Sequence, residues 1–248
     1  MKTPALLILA LSCLLSCSKQ QESLPAVNKE PCPELSSFIE TNYYTDARHL
    51  YYQRILDDSS HPSRNDFELS TDSITSILKD IQAVYCLDIP ERDTVFELND
   101  IHGYYCTSYN SLGIRVDPNF DHIQKLAAQE FPTGNAELDQ ILSAFNLDSV
   151  DLAYSFPQFP WLSLVSQLEG NNLVYMSALE GVAGIEVVEL YRGCVGDGNT
   201  ISHQQNSNSK TLTFSIGSGD CPSGCLYHRY WEFAIKDGKA EFVRMYED

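Results

Sequence analysis

Apolar residues recur at three- and four-residue steps through the first half of the chain and at alternate positions through the second, which predicts helices followed by sheet. From Ser36 to Asp57, the residues Tyr43, Tyr44, Ala47, Leu50, Tyr51 and Ile55 share one stripe, and one amphipathic helix is expected there. From Asp72 onward, Ile74, Ile77, Leu78, Ile81, Val84 and Tyr85 form a cleaner stripe, with Ser70, Thr71 or Asp72 as N-cap. Thr94 to Leu98 and Leu112 to Val116 read as strands by their β-branched and aromatic content, with a Tyr-rich loop between them. Phe120 to Glu130 and Ala136 to Phe145 read as shorter helices, separated by the breaker Pro132-Thr133-Gly134-Asn135.

Beyond Asn146 the period shortens. Val150 to Phe156 and Trp161 to Leu168 are predicted strands, Asn171 caps a helix through Leu179, and Gly184 to Leu190 is a further strand, a β-β-α-β order. Thr211 to Ile216, Leu226 to Ile235 and Ala240 to Tyr246 alternate as strands, and Asp237-Gly238 is a hairpin-turn signature. The expectation is an α+β fold: one globular domain over 34–248, with N-terminal helices packed on a mainly antiparallel, disulfide-braced C-terminal sheet.

Charge removes one class of partner. With 16 Lys+Arg against 34 Asp+Glu among 248 residues, the formal charge is -18, and a nucleic-acid role, which needs clustered cations, is excluded. The same balance repels an anionic membrane surface, so attachment to a membrane requires a covalent or apolar device. Residues 1–16 supply its signal: a short positive start at Lys2, then an apolar run from Ala5 to Leu15 too short to span a bilayer. The run ends in Leu14-Leu15-Ser16-Cys17, which resembles a bacterial lipobox and marks Cys17 for acylation; a competing register ends at Cys13, and secretion after ordinary cleavage is the alternative. Acyl chains contribute about 0.8 kcal/mol per buried CH₂, so two or three of them anchor stably. Residues 17–33 are polar, with Pro25 and Pro31, and read as a tether. The expected location is the bacterial cell envelope, with the chain held by its N-terminal acyl chains at the outer membrane.

Export also decides the cysteine chemistry. Cys32, Cys86, Cys106, Cys194, Cys221 and Cys225 form an even set in an oxidising compartment, where disulfides are the default. Cys221 and Cys225 flank Pro222-Ser223-Gly224, a turn that lets them close on each other. Cys86 with Cys106, and Cys32 with Cys194, are weaker pairings, since connectivity does not follow from sequence.

Several segments carry a resemblance. Glu91-Arg92-Asp93-Thr94-Val95-Phe96 followed by Ile101-His102, then Gly196-Asp197-Gly198-Asn199, and Gly219-Asp220-Cys221-Pro222-Ser223-Gly224-Cys225 with His228-Arg229-Tyr230-Trp231 resemble a family of uncharacterised exported Bacteroidota proteins. The resemblance spans most of the domain and implies source, export and a shared fold, with no activity attached.

Candidate chemistry is sparse. The sequence has no Gly-x-Ser-x-Gly elbow and no His-Glu-x-x-His helix, and it implies no catalytic residues, cofactor or metal. A zinc set of Cys221, Cys225, His203 and His228 has suitable atoms, but exported thiolates oxidise unless metal arrives first. Gly196-Asp197-Gly198-Asn199 starts like a calcium loop and adds no further acid, so it reads as a turn. His102, beside Ile101, reads as structural. On the strand after the clamped turn, His228, Tyr230 and Glu232 share one face and Trp231, Phe233 and Ile235 the other. Asp220, His228, Tyr230 and Glu232 are therefore the candidate binding patch, for a protein or glycan partner, and the expected role is a non-enzymatic binding module. The alternative is an envelope hydrolase assembled from Asp220, His228 and Glu232.

Overall fold

The computed structural model describes residues 34–154, 160–192, 196–206 and 209–248, so Cys17, the tether, Cys32 and Cys194 lie outside the described residues. The fold is α+β, with two four-stranded antiparallel sheets.

The first helical stripe splits in two. Helix α1 spans Ser37–Asn42 and α2 spans Tyr44–Asp57, and Tyr43 between them leaves the helical region of backbone space. The kink buries Tyr43 and turns Tyr44 outward, whereas a continuous helix would have placed both on one stripe. Helix α3, Thr71–Tyr85, follows the expectation closely: Ser70 Oγ accepts the Ser73 N–H, and Ile74, Ile77, Leu78, Ile81 and Val84 are buried.

The expected strand at Thr94–Leu98 is helical. Pro90 starts a short helix α4, Pro90–Asp93, because its missing N–H and fixed φ suit a first turn, and the chain continues through a π turn at Thr94–Leu98. Consecutive Val95 and Phe96 are both buried in this turn, against the first core cluster.

The middle of the chain builds its own core. Strand β1 (Thr107–Val116), helices α5 (Asp121–Ala127) and α6 (Ala136–Ala144), strands β2 (Leu147–Tyr154) and β3 (Trp161–Ser166), helix α7 (Leu173–Glu180) and strand β4 (Ile185–Arg192) follow in order. The sheet runs β2-β3-β1-β4, and Leu112, Ile114, Leu162, Leu164 and Val188 pack against Ile123, Leu126, Leu138, Leu142 and Leu179 of the helices. Strands β5 (Thr200–Gln205), β6 (Lys210–Ser218), β7 (Tyr227–Lys236) and β8 (Lys239–Glu247) then form a meander. Its apolar face, with Leu212, Phe214, Trp231, Phe233 and Ile235, packs on α1, α2 and α3 to form a second cluster. Leu190 touches both clusters. Buried Asn171 also ties them, holding its amide within 3.1 Å of the Ser63, Arg64 and Asp66 carbonyls while its oxygen accepts the Leu173 N–H at the start of α7.

The β7–β8 hairpin turns at Asp237-Gly238, where φ is 51° and 72°, the left-handed pair such a turn requires and a position suited to Gly. Strand β5 was not foreseen, since it is polar apart from buried Ile201 and lies at a sheet edge. Cys221 and Cys225 are bridged as expected. Cys86 and Cys106 are also disulfide-bonded, although a closure of one on the other is not among the bridges joining two described residues.

Candidate functional site

Strand β7 sets the geometry. Its alternation buries Trp231, Phe233 and Ile235 and leaves His228, Tyr230 and Glu232 half-buried on the face away from the helices. They are not free solvated groups, because each already has a partner. His228 Nε2 lies 2.9 Å from Asp197 Oδ2, in the loop before β5. Glu232 Oε2 accepts from Nε (3.0 Å) and Nη2 (2.8 Å) of Arg244, its cross-strand neighbour on β8. The Tyr230 hydroxyl donates to Asp248 Oδ2 at 3.1 Å.

Between these pairs the rings form a row. Tyr230 and Tyr246 stand opposite each other and stack at 4.7 Å and 13°, His228 lies 5.8 Å beyond Tyr230, and the Arg244 guanidinium sits 4.8 Å over Tyr246. Burial, then the neighbouring Asp248, pushes the Tyr230 phenol above its ordinary pKa. Asp197 is held below the carboxylate range chiefly by the Gly198 N–H, which donates at 2.7 Å, and also by His228.

The clamped turn adjoins this row. Asp220 precedes it, giving its carbonyl rather than its carboxylate to the Ser223 N–H. Cys225 Sγ, a carboxylate oxygen of Asp197 and a ring nitrogen of His228 lie within 4.8 Å of one another. The sulfur is tied into the bridge, so it is not a thiolate ligand, and these atoms are not assigned to a metal. Gly217 makes the approach feasible: a Cβ there would stand 2.4 Å from Cys225 Sγ and 3.1 Å from His228 Cε1.

The structure thus brings His228, Tyr230 and Glu232 onto one face but gives each a different partner. Sequence reasoning missed Asp197, Arg244, Tyr246 and Asp248. The structure also separates the zinc candidates, for His203 is fully buried elsewhere, with Nε2 at 2.9 Å from Asp80 Oδ2 and Nδ1 against Arg54.

His102 is not alone. Its Nδ1 is 2.7 Å from Asp46 Oδ2, and buried Asp46 also accepts from the Gly103 N–H at 2.9 Å and the Tyr105 hydroxyl at 2.8 Å. The hydrogen bond that Asp46 accepts from His102 is the main reason that the His102 pKa is raised. A cleft of about 370 Å³ opens nearby, lined by His49, Arg54, Tyr104, Tyr105, Ser202 and His203 among others. Burial lowers His49 to about 4, lowers Arg54 and raises Tyr105. These groups are satisfied from within: Tyr105 by Asp46, Arg54 by His203, and His49 by Tyr109 and by stacking on Tyr105 at 3.8 Å. Burial is the leading cause of these shifts, and each group is already engaged by a neighbour.

Comparison of the chain with protein-family models, curated proteins and solved structures finds no match.

Proposed function

We propose that the chain is an envelope binding module, held by acyl chains on Cys17, that engages a polypeptide partner through the open face of β7–β8 beside the clamped turn. The observation that carries this reading is the row His228, Tyr230, Tyr246 and Arg244, in which each side chain is held by another before any partner arrives. Preformed side chains lose little rotamer freedom on binding. Tyr and Arg are also enriched where interfaces carry their energy, and the row supplies both. Tyr230 stacks with Tyr246 and has the His228 ring 5.8 Å away, which limits the bare ring face, so the surface offers ring edges, hydroxyls and charges. A sugar ring stacks on a bare aromatic face, which favours a polypeptide over a glycan. The hydrolase alternative has less to support it than the binding module, because its three residues do not pair with one another: His228 bonds to Asp197 and Glu232 to Arg244.

The surface is testable by photocrosslinking in the full-length, anchored protein. A photoreactive residue in place of Glu241, exposed on β8 opposite Ala234 and so on the same face as Glu232, should give a discrete protein adduct, and one in place of Leu152, 61% exposed on β2, should give none. Equal adducts at both positions, or none at either, would count against the reading. Retention on neutral oligosaccharides without an adduct would replace the polypeptide by a glycan.

The anchor rests on the lipobox ending at Cys17 and the polar tether after it, in line with the resemblance to exported Bacteroidota proteins. Among the described residues, no helix is long and apolar enough to cross a membrane. Intact mass should show a lipid-bearing chain that starts at Cys17, and Cys17→Ala should leave the membrane fraction; an unmodified N-terminus elsewhere refutes it.

A further inference from the structure

We propose that Cys221–Cys225 is a redox-active disulfide that exchanges with polypeptide thiols, with His228 moving the proton and Asp197 holding the imidazole.

The bridge is not needed to shape its turn. Ser223 N–H bonds to the Asp220 carbonyl at 2.9 Å and Gly224 N–H to the Cys221 carbonyl at 3.1 Å. Asp197 N–H also reaches the Cys221 carbonyl at 2.9 Å, and Leu226 N–H the Ser218 carbonyl at 2.9 Å, so the turn is pinned to the sheet and to the preceding loop by backbone alone. A bridge four residues apart also closes a short loop, the case in which cross-linking stabilises least. Both cysteines are partly exposed and Pro222 and Ser223 are exposed, so the turn lies at the surface, where a thiol can approach it.

The second observation is the histidine. Asp197 accepts from His228 Nε2, which fixes the proton there and leaves Nδ1 as a lone pair; Nδ1 is buried and has no partner. An unpaired buried acceptor costs free energy, and here it belongs to a ring packed beside the Cys225 sulfur. The Asp197 carboxylate is itself fixed by the Gly198 and Cys225 N–H groups. This is the arrangement of an oriented general base next to a leaving group.

The exchange balances. An incoming thiol ionises by losing its proton to solvent and attacks Cys221 Sγ as the thiolate. The S–S bond breaks, its electron pair goes to Cys225 Sγ, and a proton from solvent, passed on by the adjacent His228 ring, neutralises it, giving a mixed disulfide on Cys221 and a thiol at Cys225. A second thiol of the partner then attacks the partner's own sulfur in that mixed disulfide, releasing Cys221 as a thiol and leaving the partner oxidised. Two thiols become one disulfide while the bridge becomes two thiols, and the reverse reaction uses the same groups. Leu226, 65% exposed, and Tyr227 lie directly after Cys225 and offer an apolar ledge for an extended polypeptide. This inference stands apart from the anchor and from the identity of the partner bound at Tyr230.

The test uses the mature full-length protein in glutathione redox buffers, with free thiols alkylated and located by mass spectrometry. The Cys221–Cys225 bridge should open and close with the buffer ratio while Cys86 and Cys106 stay oxidised, and the trapped glutathione adduct should sit on Cys221. His228→Ala should slow opening by about tenfold or more, and His228→Gln, which keeps the packing, should be equally slow. Should His228→Ala not fold, the His228→Gln rate decides. A bridge that stays closed in excess reduced glutathione overturns the proposal, as does an adduct confined to Cys225 or a wild-type rate in the folded His228 variants.

Discussion

Asp80→Ala is expected to lower the unfolding free energy by about 3–5 kcal/mol, the cost of stranding buried charge when one partner is removed. Asp80 on α3 is buried, and Lys210 Nζ on β6 lies 3.0 and 2.7 Å from its two oxygens. His203 Nε2 on β5 approaches at 2.9 Å. Arg54 on α2 can only donate, so its contact with His203 Nδ1 makes that nitrogen the acceptor and places the ring proton on Nε2, facing Asp80. Burial holds the Arg54 pKa below its ordinary value, as expected for a guanidinium short of water. One carboxylate therefore ties α2 and α3 to β5 and β6, and its loss leaves two cations and an imidazole N–H without it. Asp80→Asn, which keeps an acceptor for His203, should cost less. Urea denaturation reads both variants, and a loss under about 1 kcal/mol for Asp80→Ala would mean that the group behaves as a surface ion pair.

Asp46→Ala should cost about 2–4 kcal/mol and should also change the pH dependence of stability, because three donors lose one buried acceptor. The raised pKa of His102 means that folding favours its protonated form. That stabilisation is complete below about pH 6.5 and is lost as pH rises through the folded value. His49 acts in the opposite sense: burial lowers it to about 4, against the raising effect of Asp46, so its stabilisation is present above about pH 6.5 and lost as pH falls towards 4. Stability should therefore peak near pH 6.5 where these two histidines dominate. In Asp46→Ala the decline on the alkaline side should flatten while the acid-side loss remains. Urea midpoints across about pH 5 to 8 test this, and an alkaline limb unchanged in the variant would show that Asp46 is not what holds the His102 proton.

Legibility in the sequence follows the range of the interaction. Helix α3 was readable because its cap and stripe lie within one window, and the β6–β8 meander because alternation and Asp237-Gly238 are local signals. Strand β5 was not, since an edge strand with one buried apolar residue has no apolar period to display. Thr94–Leu98 misled because β-branched content was weighed without alternation, while Pro90 four residues earlier was the better signal. The candidate face was half legible. Alternation placed His228, Tyr230 and Glu232 together, but their partners come from elsewhere: Asp197 is 31 residues from His228, and a β-bulge decides the pairing of Glu232. Counting back from the hairpin turn sets Phe233 opposite Phe242 and would set Glu232 opposite Val243; the bulge between Phe233 and Glu232 shifts the register, so that Arg244 faces Glu232. The buried pairs His203–Asp80 and His102–Asp46 span 123 and 56 residues, distances over which no local pattern operates.

The most direct measurement of the central claim is the photocrosslink from the Glu241 position, repeated in the His228→Ala/Glu232→Ala double variant alongside its thermal melt. His228 and Glu232 each belong to one ion pair with a partner 42% and 62% exposed, so folding should weaken by less than about 2 kcal/mol. The row itself should come apart, since His228 no longer flanks Tyr230 and Arg244 no longer has Glu232 to hold it over Tyr246. The account predicts an adduct reduced by about tenfold, equivalent to about 1.4 kcal/mol of binding, on a protein that still melts cooperatively. An undiminished adduct in the folded variant would contradict it, and so would a variant that fails to fold, because His228 and Glu232 would then be structural groups and not the edge of a binding surface.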